Sequence, residues 1–217
     1  MSVTIILILL TVGISIYAWS NPDLMHKWIF HPFSVSKYHQ YYRFITSGFL
    51  HADWGHLLFN MFSFYMFARI VEQELINYHN QTAVILLFLL IYIGGIIVSD
   101  IYTYFKQRNN FDYRALGASG GVSAIIFSSI LLEPFSGIGI FPIPFPIWGF
   151  VFGFLYLIYS YYQSKRMGDN VNHDAHFYGA IYGFVLTIFL VPNALQEFIH
   201  DIQTKPGISF KIFLNTF

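Results

Sequence analysis

Two polar side chains that can donate hydrogen bonds, His56 and Asn60, interrupt an apolar stretch of the sequence. A helix places residues four apart about 40° from each other, so both side chains point to one face. His51 would lie about 140° from His56 on the same helix, which disfavours a metal ion shared by the two histidines. Because burying an unpaired polar group costs about 2–7 kcal/mol, the pair predicts either a polar cavity or hydrogen bonds to a neighbouring helix.

A serine surrounded by small residues, Ser119, stands in the sequence Gly117-Ala118-Ser119-Gly120-Gly121. The letters match the G-x-S-x-G of hydrolase nucleophile elbows, but an elbow needs a strand before the serine within an α/β sheet. Here the serine opens an apolar helix, which excludes a soluble α/β hydrolase. The glycines allow close backbone approach and leave the hydroxyl accessible, so the motif favours either a nucleophile at a helix start or a small-residue packing seam.

A further histidine, His176, shares one stripe of a predicted helix with Gly179 and Gly183. A Gly-x-x-x-Gly pattern lets a second helix pack closely. If that second helix is the one that begins near Ser119, the imidazole comes within hydrogen-bonding reach of the serine hydroxyl, as a nucleophile and its base require. The alternative is a dimerisation groove with a histidine beside it by chance.

The composition indicates the solvent in which these residues work. Of the 217 residues, 56% are hydrophobic, 21% are aromatic and only 10% are charged, whereas an ordinary globular domain has roughly 25% charged residues. Such a chain has too few charged residues to cover a surface exposed to water, so its composition indicates that lipid surrounds it. Eleven basic and eleven acidic residues provide no basic patch for nucleic acid. The absence of cysteine excludes disulfides, thiolate metal sites and cysteine nucleophiles.

Six apolar stretches, each long enough to cross a bilayer as an α-helix, divide the chain. They cover residues 3–19, 54–71, 83–105, 115–132, 144–162 and 175–194. The first stretch has no Lys or Arg before it, so we interpret it as a span rather than a cleaved signal peptide, although Ala18 and Ser20 resemble a cleavage site. We therefore predict an all-α polytopic membrane protein with a single domain over residues 1–217.

The segments between the predicted spans are less regular. The aromatic residues of 20–50 and the prolines of 133–148 predict two connections at the membrane interface, where amphipathic rings are favoured. Residues 195–217 form a C-terminal tail that gives no functional signal.

Taken together, these residues resemble the rhomboid intramembrane serine proteases, from about Tyr42 to Gly183. Three motifs carry the resemblance, in the order that the family has them: His51…His56-x-x-x-Asn60, Gly117-x-Ser119-Gly120 and Ala175-His176-x-x-Gly179-x-x-x-Gly183. The resemblance implies a six-transmembrane-helix rhomboid-like bundle, integral and multi-pass, in a bacterial cell (inner) membrane.

The resemblance also implies hydrolysis of peptide bonds in single-pass membrane protein substrates within the lipid bilayer, without metal or organic cofactor. Ser119 would be the nucleophile and His176 its base, with no acidic third residue. His56, Asn60 and the backbone N–H of Ser119 would donate to the oxyanion. The alternative is a catalytically silent rhomboid-like protein that binds membrane clients. A transporter with His56, Asn60 and His176 in a polar pathway is a third candidate. No His-Glu pair occurs for a metalloprotease, and Asp100 is the one obvious aspartate within a span.

Three positions depart from the family pattern or match it only in part. Ser123 stands where many bacterial rhomboids carry a tyrosine packed against the catalytic histidine, so the orientation of His176 must rely on other contacts. Tyr42-Arg43 replaces the usual Trp-Arg, and Arg43 is expected to brace the first loop. Glu72 resembles a glutamate with a structural role near the opposite surface.

Two indicators of membrane orientation disagree. The resemblance places the loops after spans one, three and five outside, yet these loops hold eight of the eleven basic residues, against the positive-inside tendency. The eight residues are Lys27, Lys37, Arg43, Lys106, Arg108, Arg114, Lys165 and Arg166. We retain the orientation that the resemblance implies, because the first loop is expected to be structural and its cations can snorkel or pair.

Overall fold

The protein is described by a computed structural model that covers residues 2–139, 145–164 and 172–205. Within these ranges the chain forms ten α-helices, a 3-10 turn at Ser47–Phe49 and one short antiparallel hairpin. The helices are α1 (Val3–Trp19), α2 (Pro22–Trp28), α3 (Pro32–Tyr38), α4 (Arg43–Thr46), α5 (Trp54–Tyr78), α6 (Gln81–Gln107), α7 (Ser119–Leu132), α8 (Gly149–Gln163), α9 (His173–Leu190) and α10 (Ala194–Thr204). The predicted tail beyond 205, the start of the fifth stretch at 144, and Lys165 and Arg166 lie outside the described residues.

A helix occupies each of the six apolar stretches, as α1, α5, α6, α7, α8 and α9, and the predicted all-α class is confirmed. The largest difference is in the second stretch, and smaller ones occur in the fourth, fifth and sixth: α7 begins at Ser119 instead of 115, and α8 at Gly149 instead of 144. Helix α5 continues to Tyr78 instead of ending at 71, and α9 ends at Leu190 instead of 194. The early end of α9 is explained by Pro192, which cannot continue a helix, and by Asn193, whose φ of 59° is left-handed.

Only part of the helical content qualifies as membrane-spanning by length and composition. In the described ranges, α6 with its 27 residues is the one helix that qualifies on its own. Helices α9 and α10 qualify together if the pair, bent by 107°, is counted as one span. Helices α1 and α7 are apolar but shorter. The count of six spans and the membrane location therefore stay predictions at this point.

The C-terminal tail begins with a helix that the sequence analysis did not predict. Helix α10 packs against α7 and α9, and the ring of Phe198 meets that of Phe184 edge-on at 5.6 Å. Its apolar residues Ala194 and Phe198 are four apart and so share the face that packs against the bundle. The proline-rich connection contains the hairpin, with β1 (Gly137–Ile138) paired to β2 (Ile147–Trp148).

Arg43 braces the first loop, as predicted. It is 4% exposed, and its guanidinium donates to the carbonyl oxygens of Ile29 at 2.7 Å and His26 at 2.9 Å. Its Nε donates to Gln40 Oε1 at 2.7 Å. One cation thus satisfies three acceptors, one within α2 and two in the segment between α2 and α4.

Glu72 has the structural role that was expected of it. Its carboxylate accepts hydrogen bonds from the hydroxyl of Ser2 at 2.6 Å, the backbone N–H of Val3 at 3.1 Å and the hydroxyl of Thr4 at 2.8 Å. An acidic group at a helix N-terminus is stabilised by the unpaired N–H groups and the helix dipole. Glu72 therefore ties α5 to the start of α1.

Helix α7 is the centre of the molecule and packs against α5, α6 and α9. Eleven of its 14 residues are buried, and no single face of it is reserved for the core. Small residues, including Gly120, Gly121, Ala124 and Ser128, permit neighbours on several sides at once. Ser119 opens this central helix and is therefore held in place by three packed helices.

Candidate active site

Backbone contact between α7 and α9 fixes the centre of the candidate site. A Cβ atom added at Gly179 would collide with the carbonyl oxygen of Gly120, and one added at Gly183 would collide with that of Ala124. The Gly-x-x-x-Gly groove therefore receives the helix that carries Ser119, as predicted. Because α7 fills this groove within one chain, the dimerisation alternative is wrong for these two glycines.

The two helices run parallel in a constant register. Residues 120 and 179, 124 and 183, and 128 and 187 all pair at an offset of 59 in number, the last pair through a 2.7 Å hydrogen bond between Thr187 Oγ1 and Ser128 Oγ. Extended back toward the helix starts, this register puts His176 level with residue 117. Ser119 lies two residues further on, about 3 Å along the axis at 1.5 Å per residue. The structure therefore brings Ser119 and His176 to the same end of adjacent helices.

The glycines that follow Ser119 also form the packing seam that the sequence analysis left open. A Cβ atom at Gly121 would lie 2.6 Å from the carbonyl oxygen of Tyr92, and one at Gly120 would lie 2.6 Å from Ser99 Cβ, both on α6. The packing-seam interpretation is therefore confirmed, whereas the nucleophile at the helix start stays a prediction. The glycines bring α6 and α9 close on two sides, while Ser119 itself stays partly exposed.

His56 lies against the backbone that leads into Ser119. Gly117 has a φ of +123°, and a Cβ atom there would lie 2.7 Å from His56 Cε1 and 2.9 Å from Nε2. Glycine is required at this position for two reasons, the left-handed backbone and the neighbouring ring. The imidazole of α5 is thereby brought two residues from the start of α7.

Asn60 is held by its own helix. It is 4% exposed, and its Nδ2 donates to the carbonyl oxygen of His56 at 2.9 Å. The start of α5 is fixed in turn by Asp53, whose carboxylate accepts from the backbone N–H of His56 at 2.8 Å. The hydrogen bond from Asn60 to the His56 carbonyl orients the Asn60 amide. Because the two residues are four apart, the amide lies on the face of α5 that also carries His56.

His51 is not on the same helix as His56, so the angle predicted between them from a continuous helix was wrong. Helix α5 begins at Trp54, because Asp53 caps it. The two rings nevertheless meet edge-on with centroids 4.9 Å apart. In the described parts of the chain, no three histidine, aspartate or glutamate side chains are placed to hold a metal ion.

The hydrogen bonds of His51 define its tautomer and its structural role. Ser15 donates its hydroxyl proton to the carbonyl oxygen of Phe49 at 2.9 Å. His51 Nδ1, 3.0 Å from Ser15 Oγ, must therefore carry a proton and donate it. Nε2 is then the acceptor for the backbone N–H of Ala118 at 3.4 Å. The neutral ring joins α1 to the residue before Ser119.

This buried imidazole predicts a loss of stability in acid. Burial, aided by the neighbouring His56, lowers the pKa of His51 to about 3 from the ordinary 6.5. Between these values the unfolded chain binds more protons than the folded one, so stability falls as the pH drops below about 6.5. At 1.36 kcal/mol per unit, the loss at pH 5 is about 2 kcal/mol.

We expect the free energy of unfolding in detergent micelles to fall less between pH 7.5 and pH 5 in His51→Gln than in the wild type, by about 2 kcal/mol. The control is His200→Gln, which replaces an exposed histidine of α10. Equal acid sensitivity in the wild type and His51→Gln would contradict the prediction.

One ring contact of His176 comes from α8. The ring of Tyr156 lies nearly parallel to the imidazole, with centroids 6.3 Å apart and an interplanar angle of 21°. Ser123, at the position where a tyrosine was expected, is within 3.2 Å of the Tyr156 hydroxyl. Sequence reasoning missed Tyr156 because α8 offers many aromatic residues and no motif distinguishes one of them.

A small polar cavity is lined in part by Ser119. Its volume is about 20 Å³, and Ser99, Asp100 and Asn172 contribute to its lining, which is room for one water molecule. Asn172 caps α9 by accepting from the N–H of Ala175 at 3.2 Å and reaches Asp100 Oδ1 with its amide at 3.4 Å. The start of α9 is therefore tied to α6 beside the serine.

Fold and site together define a class of protein, a helical bundle in which a serine and a histidine lie in the first turns of two parallel helices packed through small residues. The family model described as the rhomboid domain matches residues 38–193 of the chain. The chain belongs to the rhomboid family, a family of membrane proteins, and the predicted resemblance is confirmed.

Two curated relatives are similar to this chain. The first is the protein named "Putative rhomboid protease YdcA" of Bacillus subtilis (strain 168), 30% identical over 161 residues, which are 73% of this chain and 72% of the relative. The second is "Rhomboid-like protein 11, chloroplastic" of Arabidopsis thaliana, 33% identical over 103 residues. This match covers 46% of this chain and 33% of the plant protein.

Proposed function

We propose that this chain is an intramembrane serine endopeptidase that hydrolyses peptide bonds of single-pass membrane protein substrates. Membership of the rhomboid family supports a protease at the level of the family. The observation that carries the proposal for this chain is the parallel register of α7 and α9, with Ser119 and His176 at the same end of the two helices.

In the proposed reaction, His176 accepts the hydroxyl proton of Ser119 while the serine oxygen attacks the scissile carbonyl carbon. The tetrahedral intermediate collapses when the protonated imidazole returns that proton to the leaving amine, which leaves an acyl-enzyme on Ser119. A water molecule, deprotonated by His176, then attacks the ester and restores the serine hydroxyl. The partly exposed position of Ser119 supports access for both substrate and water.

The proposed oxyanion site consists of the backbone N–H of Ser119 and the side chains of His56 and Asn60. The first N–H groups of a helix have no partner within it, so that of Ser119 is directed toward a developing negative charge. His56 supports the arrangement by its contact with Gly117. Asn60 uses one amide hydrogen for the His56 carbonyl, and an amide has a second to donate.

We further propose that α1, α5, α6, α7, α8 and α9 are the six spans of a rhomboid-like bundle in a bacterial cell membrane. Large apolar side chains exposed on these helices support contact with lipid, since a soluble protein rarely exposes many of them together. Phe59 is 73% exposed, Phe62 66%, Phe154 67% and Phe189 79%. In a bilayer, these exposed apolar faces would contact lipid chains.

The orientation with both termini in the cytoplasm is part of this proposal. Among the basic residues of the outer loops that the structure describes, Arg43, Lys106 and Arg114 make hydrogen bonds or an ion pair within the protein. Arg43 is buried and donates hydrogen bonds to three oxygen atoms, and Lys106 pairs with Asp174 at 2.7 Å. These contacts reduce the number of cations that count toward the positive-inside tendency.

Covalent labelling by a serine-reactive fluorophosphonate tests the proposed function. The wild-type protein in detergent should form an adduct on the peptide that contains Ser119, because the reagent requires an activated serine. Ser119→Ala and His176→Ala should form none. The matched control Ser129→Ala changes a serine that donates to the carbonyl oxygen of Ile126 on the same helix, and it should label like the wild type.

The labelling experiment also separates the alternatives. A folded wild-type protein that forms no adduct would overturn the protease proposal and favour a catalytically silent rhomboid-like protein that binds membrane clients. An adduct that persists in His176→Ala would remove the histidine from the mechanism. A transporter that uses His56, Asn60 and His176 as a polar pathway predicts no adduct in any variant.

A further inference from the structure

The face of His176 that is turned toward α8 is covered by one aromatic ring. Tyr156 and His176 are nearly parallel, at an interplanar angle of 21° and a centroid distance of 6.3 Å. Aromatic pairs attract each other at centroid distances of about 4.5–7 Å when they are offset, so this arrangement is a favourable stack. The stack limits rotation of the imidazole about its χ2 torsion, which is otherwise broad.

Tyr156 is itself held at both ends. Its hydroxyl lies 3.2 Å from Ser123 Oγ, and Ser123 is 3% exposed and one helical turn after Ser119. The ring stacks on Phe152 at 5.7 Å and 29° and contacts Phe127 at 5.8 Å. The tyrosine therefore has one well-defined position between α7 and α9.

We propose that Tyr156 is the positioning residue for the imidazole of His176, and that Ser123 anchors it to the helix of the nucleophile. This inference rests on the proposed function, since it concerns the base of that reaction. The stacked ring orients the imidazole for this reaction, and the hydrogen bond couples the ring to α7.

A geometric consequence follows for α8. Because the ring comes from α8 while the histidine is on α9 and the serine on α7, three helices must be in place for a competent base. A displacement of α8 removes the stack without moving either Ser119 or His176. Small misplacements of reacting groups lower rates by as much as about 10²-fold.

Two substitutions separate the ring from its hydroxyl. Tyr156→Leu removes the stacking surface and keeps an apolar side chain, and we expect kcat for a membrane substrate to fall by about 10- to 100-fold with KM nearly unchanged. Tyr156→Phe keeps the ring and loses only the hydrogen bond, so kcat should fall by no more than about 5-fold, since a typical hydrogen bond contributes about 1 kcal/mol. The matched control is Phe154→Leu, on the exposed side of α8, which should keep the wild-type kcat.

A double-mutant cycle tests the anchor. Ser123→Ala should reduce kcat as much as Tyr156→Phe does, and the double variant should lose no more than either single variant, because both remove the same bond. This cycle decides the matter if Tyr156→Leu does not fold. Losses in kcat that multiply would show that the two residues act independently and would overturn the anchoring role.

Failure of this inference is distinguishable from failure of the proposed function. If the wild type is labelled by fluorophosphonate at Ser119 and Tyr156→Leu keeps wild-type kcat and labelling rate, only the positioning role is wrong. The positioning role is equally wrong if Tyr156→Leu acts on KM alone, or if Phe154→Leu lowers kcat to the same extent. A wild type that does not react at all would contradict the proposed function itself.

Discussion

Ser119→Ala is expected to lower kcat for cleavage of a membrane-spanning substrate by about 10⁴-fold or more, His176→Ala to cause a similar loss, and the double variant to be no worse than either. Residues that act as one unit give non-additive losses, because removal of one partner already abolishes the step that both perform. Activity that remains then comes from binding and oxyanion stabilisation alone. Steady-state cleavage in proteoliposomes, with substrate in excess, measures all three variants.

Two controls belong to this experiment. Ser129→Ala removes a hydroxyl from the same helix, and His200→Ala removes an exposed imidazole from α10, so neither should alter kcat. Losses from Ser119→Ala and His176→Ala that multiply in the double variant would mean that the two side chains serve different steps. The register of α7 and α9 would then have no catalytic meaning.

The helices could be predicted from the sequence because apolar runs of this length have few alternatives. Their ends were less predictable, since they depend on single residues. Asp53 caps α5, so His51 lies before the helix, while Glu72 lies within α5 and its carboxylate binds the start of α1. Such contacts join residues that are far apart in the chain, so a local pattern does not reveal them.

The candidate site was predictable where small residues carried it. Gly179 and Gly183 predicted a closely packed partner helix. That partner is α7, which contacts the two glycines through the backbone of Gly120 and Ala124. The contribution of α8 was not predictable, because Tyr156 follows Phe150, Phe152 and Phe154 in an aromatic run in which only the fold distinguishes one ring. Ser123 gave an indirect signal, since a serine in place of a tyrosine required another contact for His176.

Gly183→Ala is expected to destabilise the protein by about 3 kcal/mol and to abolish labelling of Ser119, although Gly183 lies seven residues after His176. Alanine normally stabilises a helix by about 1 kcal/mol relative to glycine. Here the added methyl group would meet the carbonyl oxygen, carbonyl carbon and Cα of Ala124. Backbone atoms cannot change rotamer as a side chain can, so α7 and α9 must separate. We expect a cost at the upper end of the usual range for overpacking, about 3 kcal/mol.

A series of glycines provides the matched controls for this effect. At Gly13 an added Cβ meets nothing within 4 Å, so Gly13→Ala should keep full labelling and be stabilised by up to about 1 kcal/mol. At Gly94 the nearest atoms belong to the Tyr182 side chain, which can move once its hydrogen bond to the Leu90 carbonyl is broken, and Gly94→Ala should lie between the two. Thermal unfolding and the rate of fluorophosphonate labelling, measured on the same samples, rank the three glycine-to-alanine variants. If Gly183→Ala labels as fast as Gly13→Ala, close contact of α7 and α9 is not what brings the serine and the histidine together.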